Sequence, residues 1–139
     1  MTGEEQNLSK VVPYLLAILV CDSGTFDPNS GKKTLVGIFD RVITRNFPTS
    51  RSYSVYFRLT DAQGNYRFKV QYAQVETDNI LGEFETRDIV NIKNRLDTFD
   101  LFTSSPPLPI PEAGQYEFRL YANNMFLGRI AIKAEQIER

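Results

Sequence analysis

Apolar and polar residues alternate one by one along much of this 139-residue chain, and the cleanest alternation comes last. Tyr116, Phe118, Leu120 and Ala122 share one parity, and Gln115, Glu117, Arg119 and Tyr121 share the other. A period of two predicts a strand with one buried face and one wet face. Asn123-Asn124 follows, and asparagine tolerates the positive φ that a tight reversal needs. The chain then returns with Phe126, Gly128, Ile130 and Ile132 set against Leu127, Arg129, Ala131 and Lys133. The pattern predicts a β-hairpin over residues 114–133, with Phe118 inward and Glu117 outward. Such a hairpin is marginal alone, so its apolar face requires a covering sheet.

The same reading predicts the rest. Tyr53, Val55, Phe57 and Leu59 alternate with polar neighbours, as do Phe68, Val70 and Tyr72; with the turn at residues 61–65 they read as a second hairpin. Residues 34–44 read as one strand with Gly37 at a bulge. Weaker strands are expected at 80–85 and 96–103, where Asp100 and Phe102 share a parity opposite to Phe99 and Leu101. Residues 87–95 leave room for a single helical turn. Residues 104–112 are proline-rich and must be extended; Pro106 to Pro109 also spells PxxP, an unspecific pattern for which a stiff crossing is the preferred reading. Gly114-Gln115-Tyr116, entered from that crossing, has the form of a tyrosine corner. Short strands, frequent turn signals and no amphipathic helix predict an all-β fold: a single antiparallel, immunoglobulin-like Greek-key β-sandwich of about seven or eight strands. It is expected to occupy residues 11–139, behind a flexible arm at 1–10.

Residues 11–21 break the alternation. Tyr14, Leu16, Ile18 and Val20 make one apolar face, and Leu15, Ala17, Leu19 and Cys21 make another. A strand of an antiparallel sandwich normally keeps one wet face. The bulkier even set is assigned to the core. Leu15, Ala17, Leu19 and Cys21 then form the outer face, covered by residues 87–95, by the proline crossing, or by a second copy or partner at an interface. The run is too short to span a bilayer as a helix. Glu4 and Glu5 precede it where a signal peptide carries basic residues, and Val20 sits where a lipoprotein cleavage site needs a small residue.

Composition narrows the function more than it defines it. Sixteen Lys and Arg against seventeen Asp and Glu give a net charge of −1, which offers no electrostatic footprint for nucleic acid or an anionic membrane. Arg41, Arg45, Arg51 and Arg58 read as a solvated sheet face. Histidine is absent, which removes the commonest general base, metal ligand and partner of a nucleophile. Cys21 is the single cysteine, so no intrachain disulfide forms, which favours a reducing, cytoplasmic location. Its apolar setting raises the thiol pKa and argues against a nucleophile. No cofactor motif is present. The residues with metal-ligand chemistry are Asp22, Asp27, Asp40 and Asp61, near strand ends and turns, where sandwich loops can gather oxygens for Ca²⁺; turn chemistry is the preferred account of them, and the metal site is the weaker candidate.

Residues 12–22, 31–40, 54–61 and 114–123 (VPYLLAILVCD, GKKTLVGIFD, SVYFRLTD and GQYEFRLYAN) resemble an uncharacterised bacterial domain family of unknown function. The resemblance spans nearly the whole chain. It implies a small β-rich domain of bacterial or phage origin and supplies no reaction or ligand. The expected function is therefore a non-catalytic module for protein–protein contact, with itself or a partner. The alternative is a Ca²⁺- or carbohydrate-dependent ligand-binding module using the carboxylate-bearing loops.

Overall fold

The computed structural model describes residues 7–137, and every regular element among them is a strand. In chain order these are β1 (Tyr14–Phe26), β2 (Lys33–Ile38), β3 (Arg41–Thr44), β4 (Thr49–Arg51), β5 (Ser54–Thr60), β6 (Gly64–Tyr66), β7 (Phe68–Gln74), β8 (Asn79–Glu85), β9 (Val90–Ile92), β10 (Phe99–Ser104), β11 (Leu108–Ile110), β12 (Gly114–Ala122) and β13 (Met125–Gln136). Two main sheets run in the orders β10-β5-β1-β2 and β3-β13-β12-β7-β8, accompanied by the two-stranded ladders β11-β4 and β6-β9. Thirteen strands replace the seven or eight expected, because predicted strands break where the chain leaves one sheet for another. Residues 34–44 show this best. Gly37 takes a positive φ of 69° beside the Asp22 carboxylate, β2 ends, and β3 joins the other sheet. There β3 pairs with β13 in parallel, so the fold is not purely antiparallel.

The two sheets share one core. Val20, Val55, Phe57 and Leu59 come from the first, and Val70, Tyr72, Tyr116, Phe118, Leu120 and Ile132 from the second. Phe68 joins them, its ring 6.0 Å from Phe57 and 5.9 Å from Phe99, spacings that favour aromatic pairs. Large side chains buried on both inner faces explain why a chain of this size folds on apolar burial.

The terminal hairpin forms as predicted. β12 pairs with β13, and Asn123 and Asn124 turn the chain with φ of 50° and 66°. Phe118 is fully buried. Glu117 is not wet, however: it is only 3% exposed, and its carboxylate accepts bonds from Arg119 Nε at 2.6 Å and Arg129 Nη1 at 3.0 Å. Two long arginine side chains close over it, which alternation alone does not reveal. The Tyr116 hydroxyl donates to the Glu112 carbonyl at 2.6 Å, the bond of a tyrosine corner.

The expected second hairpin does not exist. β5 pairs with β1 and β10, whereas β7 pairs with β12 and β8. Both strands alternate as read, but they oppose each other across the core from different sheets. Residues 90–92 form β9 on β6 rather than a helical turn, and the proline-rich crossing forms β11 on β4, with Leu108 and Ile110 buried. Of the arm expected at residues 1–10, the first six lie outside the described residues. Leu8 bridges to Asn65, and Ser9 N–H donates to the Asn65 carbonyl at 2.9 Å, so the arm's last part is docked.

β1 corrects the parity assigned to residues 11–21. Leu15 pairs with Leu59 and Ala17 with Arg58, so Leu16 is the extra residue of a bulge. A bulge exchanges faces downstream of itself. Leu15, Ile18 and Val20 therefore pack on the core, while Tyr14 and Leu16, assigned to the core, are exposed. Leu15, expected outside, reaches Gly128 of the opposite sheet, where a Cβ would stand 2.5 Å from its Cδ2.

Candidate functional site

β5 pairs with β1 only as far as Cys21, and β1 continues beyond it as a two-stranded ribbon with β2. Lys33 pairs with Phe26 near the ribbon's tip. Asp100 of β10 lies level with Arg58, which lies level with Ala17. On a straight ribbon Lys33 would be about 30 Å further along than Asp100, far beyond the reach of a lysine side chain. Yet Lys33 Nζ is 2.9 Å from Asp100 Oδ2. The ribbon therefore curls back over the open face of its own sheet.

Two features hold it there. Phe102 lies so close to Gly24 that a Cβ on Gly24 would stand 2.4 Å from the ring, so a side chain there would have to displace the ring. The tip is braced by its own turn: Asp27 accepts from Asn29 N–H at 3.0 Å and from the Ser30 hydroxyl at 2.8 Å, and Gly31 takes a φ of 73°. Between ribbon and sheet lies a cleft of about 450 Å³, the size of a ligand pocket. Phe26, Leu35 and Phe102 line it along with Lys33, Tyr56 and Asp100.

Asp100 is the electrostatic centre of the cleft. Its side chain is 6% exposed. Oδ1 accepts from the Tyr56 hydroxyl at 2.9 Å and Arg58 Nε at 2.8 Å; Oδ2 takes Lys33 Nζ and, at 3.4 Å, Arg58 Nη2. Burial opposes its ionisation, but the bonds from Arg58, Lys33 and Tyr56 outweigh burial and hold the carboxyl down to about 2. Burial and the bond to Asp100 push the Tyr56 phenol up. Lys33 also stands over the Phe26 ring, 5.1 Å from its centroid.

The residues marked out by sequence do not gather. Asp22 pairs with Arg51 at 3.0 Å, Asp61 with Arg95 at 2.7 Å, and Asp27 serves its own turn. The Asp40 carbonyl accepts from Lys133 N–H at 2.9 Å. Among the described residues, no three of Asp, Glu, Cys and His converge as a metal site would require. Of the interface set, Leu15 faces the core, Ala17 and Leu19 are half-buried, and Cys21 is wholly buried. Burial pushes the Cys21 thiol up, aided by the neighbouring Asp22 charge. The arginines read as a solvated face are ion-paired at Arg41, Arg51 and Arg58. Sequence reasoning missed Lys33, Tyr56 and Asp100 as a group. The available signal was the shared parity of Asp100 and Phe102, a carboxylate set among Phe99, Leu101 and Phe102.

The chain belongs to a family of unknown function, DUF6941, whose family model matches residues 16–135. No curated protein matches the sequence. Among solved structures it is similar to a candidate lipoprotein from Bacillus anthracis, at 15% identity over 83% of this chain and 85% of that one, with a TM-score of 0.36. A likeness of that size transfers nothing to this chain.

Proposed function

We propose that this member of DUF6941 is a non-catalytic, cytoplasmic module that binds a protein partner, which anchors an apolar side chain in the cleft beneath the β1–β2 ribbon. The cleft itself carries this reading: about 450 Å³ between ribbon and sheet, with Phe26 58% exposed at its edge. An extended segment is the natural occupant. β2 borders the cleft and is an edge strand, paired on one side only, with Val36 and Ile38 exposed. Edge pairing supplies affinity through the main chain, and a neighbouring pocket selects the side chain. The tyrosine corner at Tyr116 supports an immunoglobulin-like origin for the frame.

The chemistry of the cleft argues for binding over catalysis. A carboxylate with a pKa near 2 is too weak a base to take a proton near neutrality, and a phenol pushed upward stays protonated. The alternative, a Ca²⁺- or carbohydrate-dependent module, draws less support because Asp22, Asp27 and Asp61 each have separate partners. Selection from a displayed library of random peptides tests the proposal. Peptides enriched on the wild type should lose about tenfold or more in affinity on Phe102→Ala, the effect of losing one well-packed apolar contact. Equal binding to both proteins, or no enrichment at all, would remove the cleft from the interaction.

A further inference from the structure

We infer that the partner segment carries a carboxylate next to its apolar anchor, an aspartate, a glutamate or a chain end, and that Lys33 receives it. This rests on the cleft being the docking site.

The charge count at the cleft floor points this way. A carboxylate offers about four acceptor positions. Those of Asp100 are all in use, with two donor contacts on each oxygen. A ligand donor or cation would find no vacant acceptor there. Arg58 approaches from outside the cleft lining and contacts both carboxylate oxygens, so Arg58 and Asp100 form a neutral pair. Lys33 is then in excess. Its side chain is 33% exposed, its ammonium has three N–H groups, and Asp100 occupies one of them. The Phe26 ring beneath it fixes the ammonium at the cleft wall without supplying charge. The neighbouring Lys32 is exposed, while Asp27 is committed to its turn. Among the described residues Asp100 is the one carboxylate on Lys33, so an incoming acceptor meets an ammonium with N–H groups not taken by a carboxylate, beside the apolar surface of Phe26, Leu35 and Phe102.

The experiment is a double-mutant cycle on one enriched peptide, with its acidic residue changed to the amide and Lys33 changed to Gln. Fluorescence anisotropy reads the affinity, and circular dichroism checks the fold. On the wild type the amide peptide should bind about tenfold more weakly, the cost of one charge-assisted hydrogen bond. On Lys33→Gln the acidic and amide peptides should bind alike. Lys33→Arg keeps the charge and should restore the difference, which separates charge recognition from the role of Lys33 in holding the ribbon. Enriched peptides that depend on Phe102 but carry no acid, or whose acid matters equally on wild type and Lys33→Gln, would overturn the inference and leave the docking site standing. Peptides indifferent to Phe102 would overturn the site itself, and the inference with it.

Discussion

The two long hairpins of this protein use similar residues to opposite ends. β12–β13 sits inside a five-stranded sheet, with β7 on one side and β3 along part of the other, and its inner face is sealed in the core. β1–β2 begins inside a sheet but outruns it at Cys21 and continues as an unsupported ribbon. A two-stranded ribbon is marginal in water. This one is held by a few side-chain contacts: Lys33 on Asp100, Phe102 on Gly24, and the Asp27 turn. The fold thus keeps its stability in one hairpin and leaves the other adjustable. Binding surfaces are drawn from such weakly supported segments.

The sharpest way to break this comparison is to remove one aromatic ring from each hairpin. Phe118→Ala should cost about 3–5 kcal/mol in chemical denaturation, as loss of a fully buried ring does. Phe26→Ala, at an exposed position, should stay within about 0.5 kcal/mol. Similar costs would mean that the ribbon is part of the cooperative core. A second test stays within β12. Glu117→Ala leaves Arg119 and Arg129 without their buried acceptor and should cost about 2 kcal/mol. A cost near zero would mean that the arginines simply turn to water.

Acid probes the ribbon's latch. The Asp100 pKa falls from about 3.9 in an unfolded chain to about 2 in the fold. Its contribution is therefore nearly complete above about pH 4 and is lost as the pH drops through 2, about 2.5 kcal/mol in all. Denaturation across that window should show Asp100→Asn losing less stability with acid than the wild type. Parallel curves would show that Asp100 is not held as described. The smallest effect concerns metal. Millimolar Ca²⁺ should leave the melting temperature unchanged, because Asp27 is committed to its turn and Asp22 and Asp61 to arginines. A rise of several degrees that Asp27→Asn abolishes would reinstate the loop carboxylates as a site.

How far the sequence could be read follows from the range of the interactions involved. The terminal hairpin was legible because its strands and its Asn123-Asn124 turn are neighbours in the chain. The alternation of β5 and β7 was equally legible, but periodicity identifies a buried face without naming a partner, and the turn between them proved to be a corner between sheets. The face of β1 was misread because one bulged residue, Leu16, shifts parity without leaving a mark in composition. The cleft was the least accessible. Lys33 and Asp100 lie 67 positions apart, and only the curl of a ribbon brings them together. Glu117 was hidden for a related reason: its arginine partners lie on the face that alternation marks as wet.

Cys21 stands where the ribbon leaves the sheet, paired on one side with Ser54 and on the other with Ile38. It is the only thiol in the chain and is wholly buried. A thiol reagent can therefore react only when this junction opens, and the rate of colour development becomes a clock for that opening. Without any added label, the protein carries a reporter at the base of its ribbon. Substitutions that loosen the Lys33 latch should quicken the clock, and a peptide bound in the cleft should slow it.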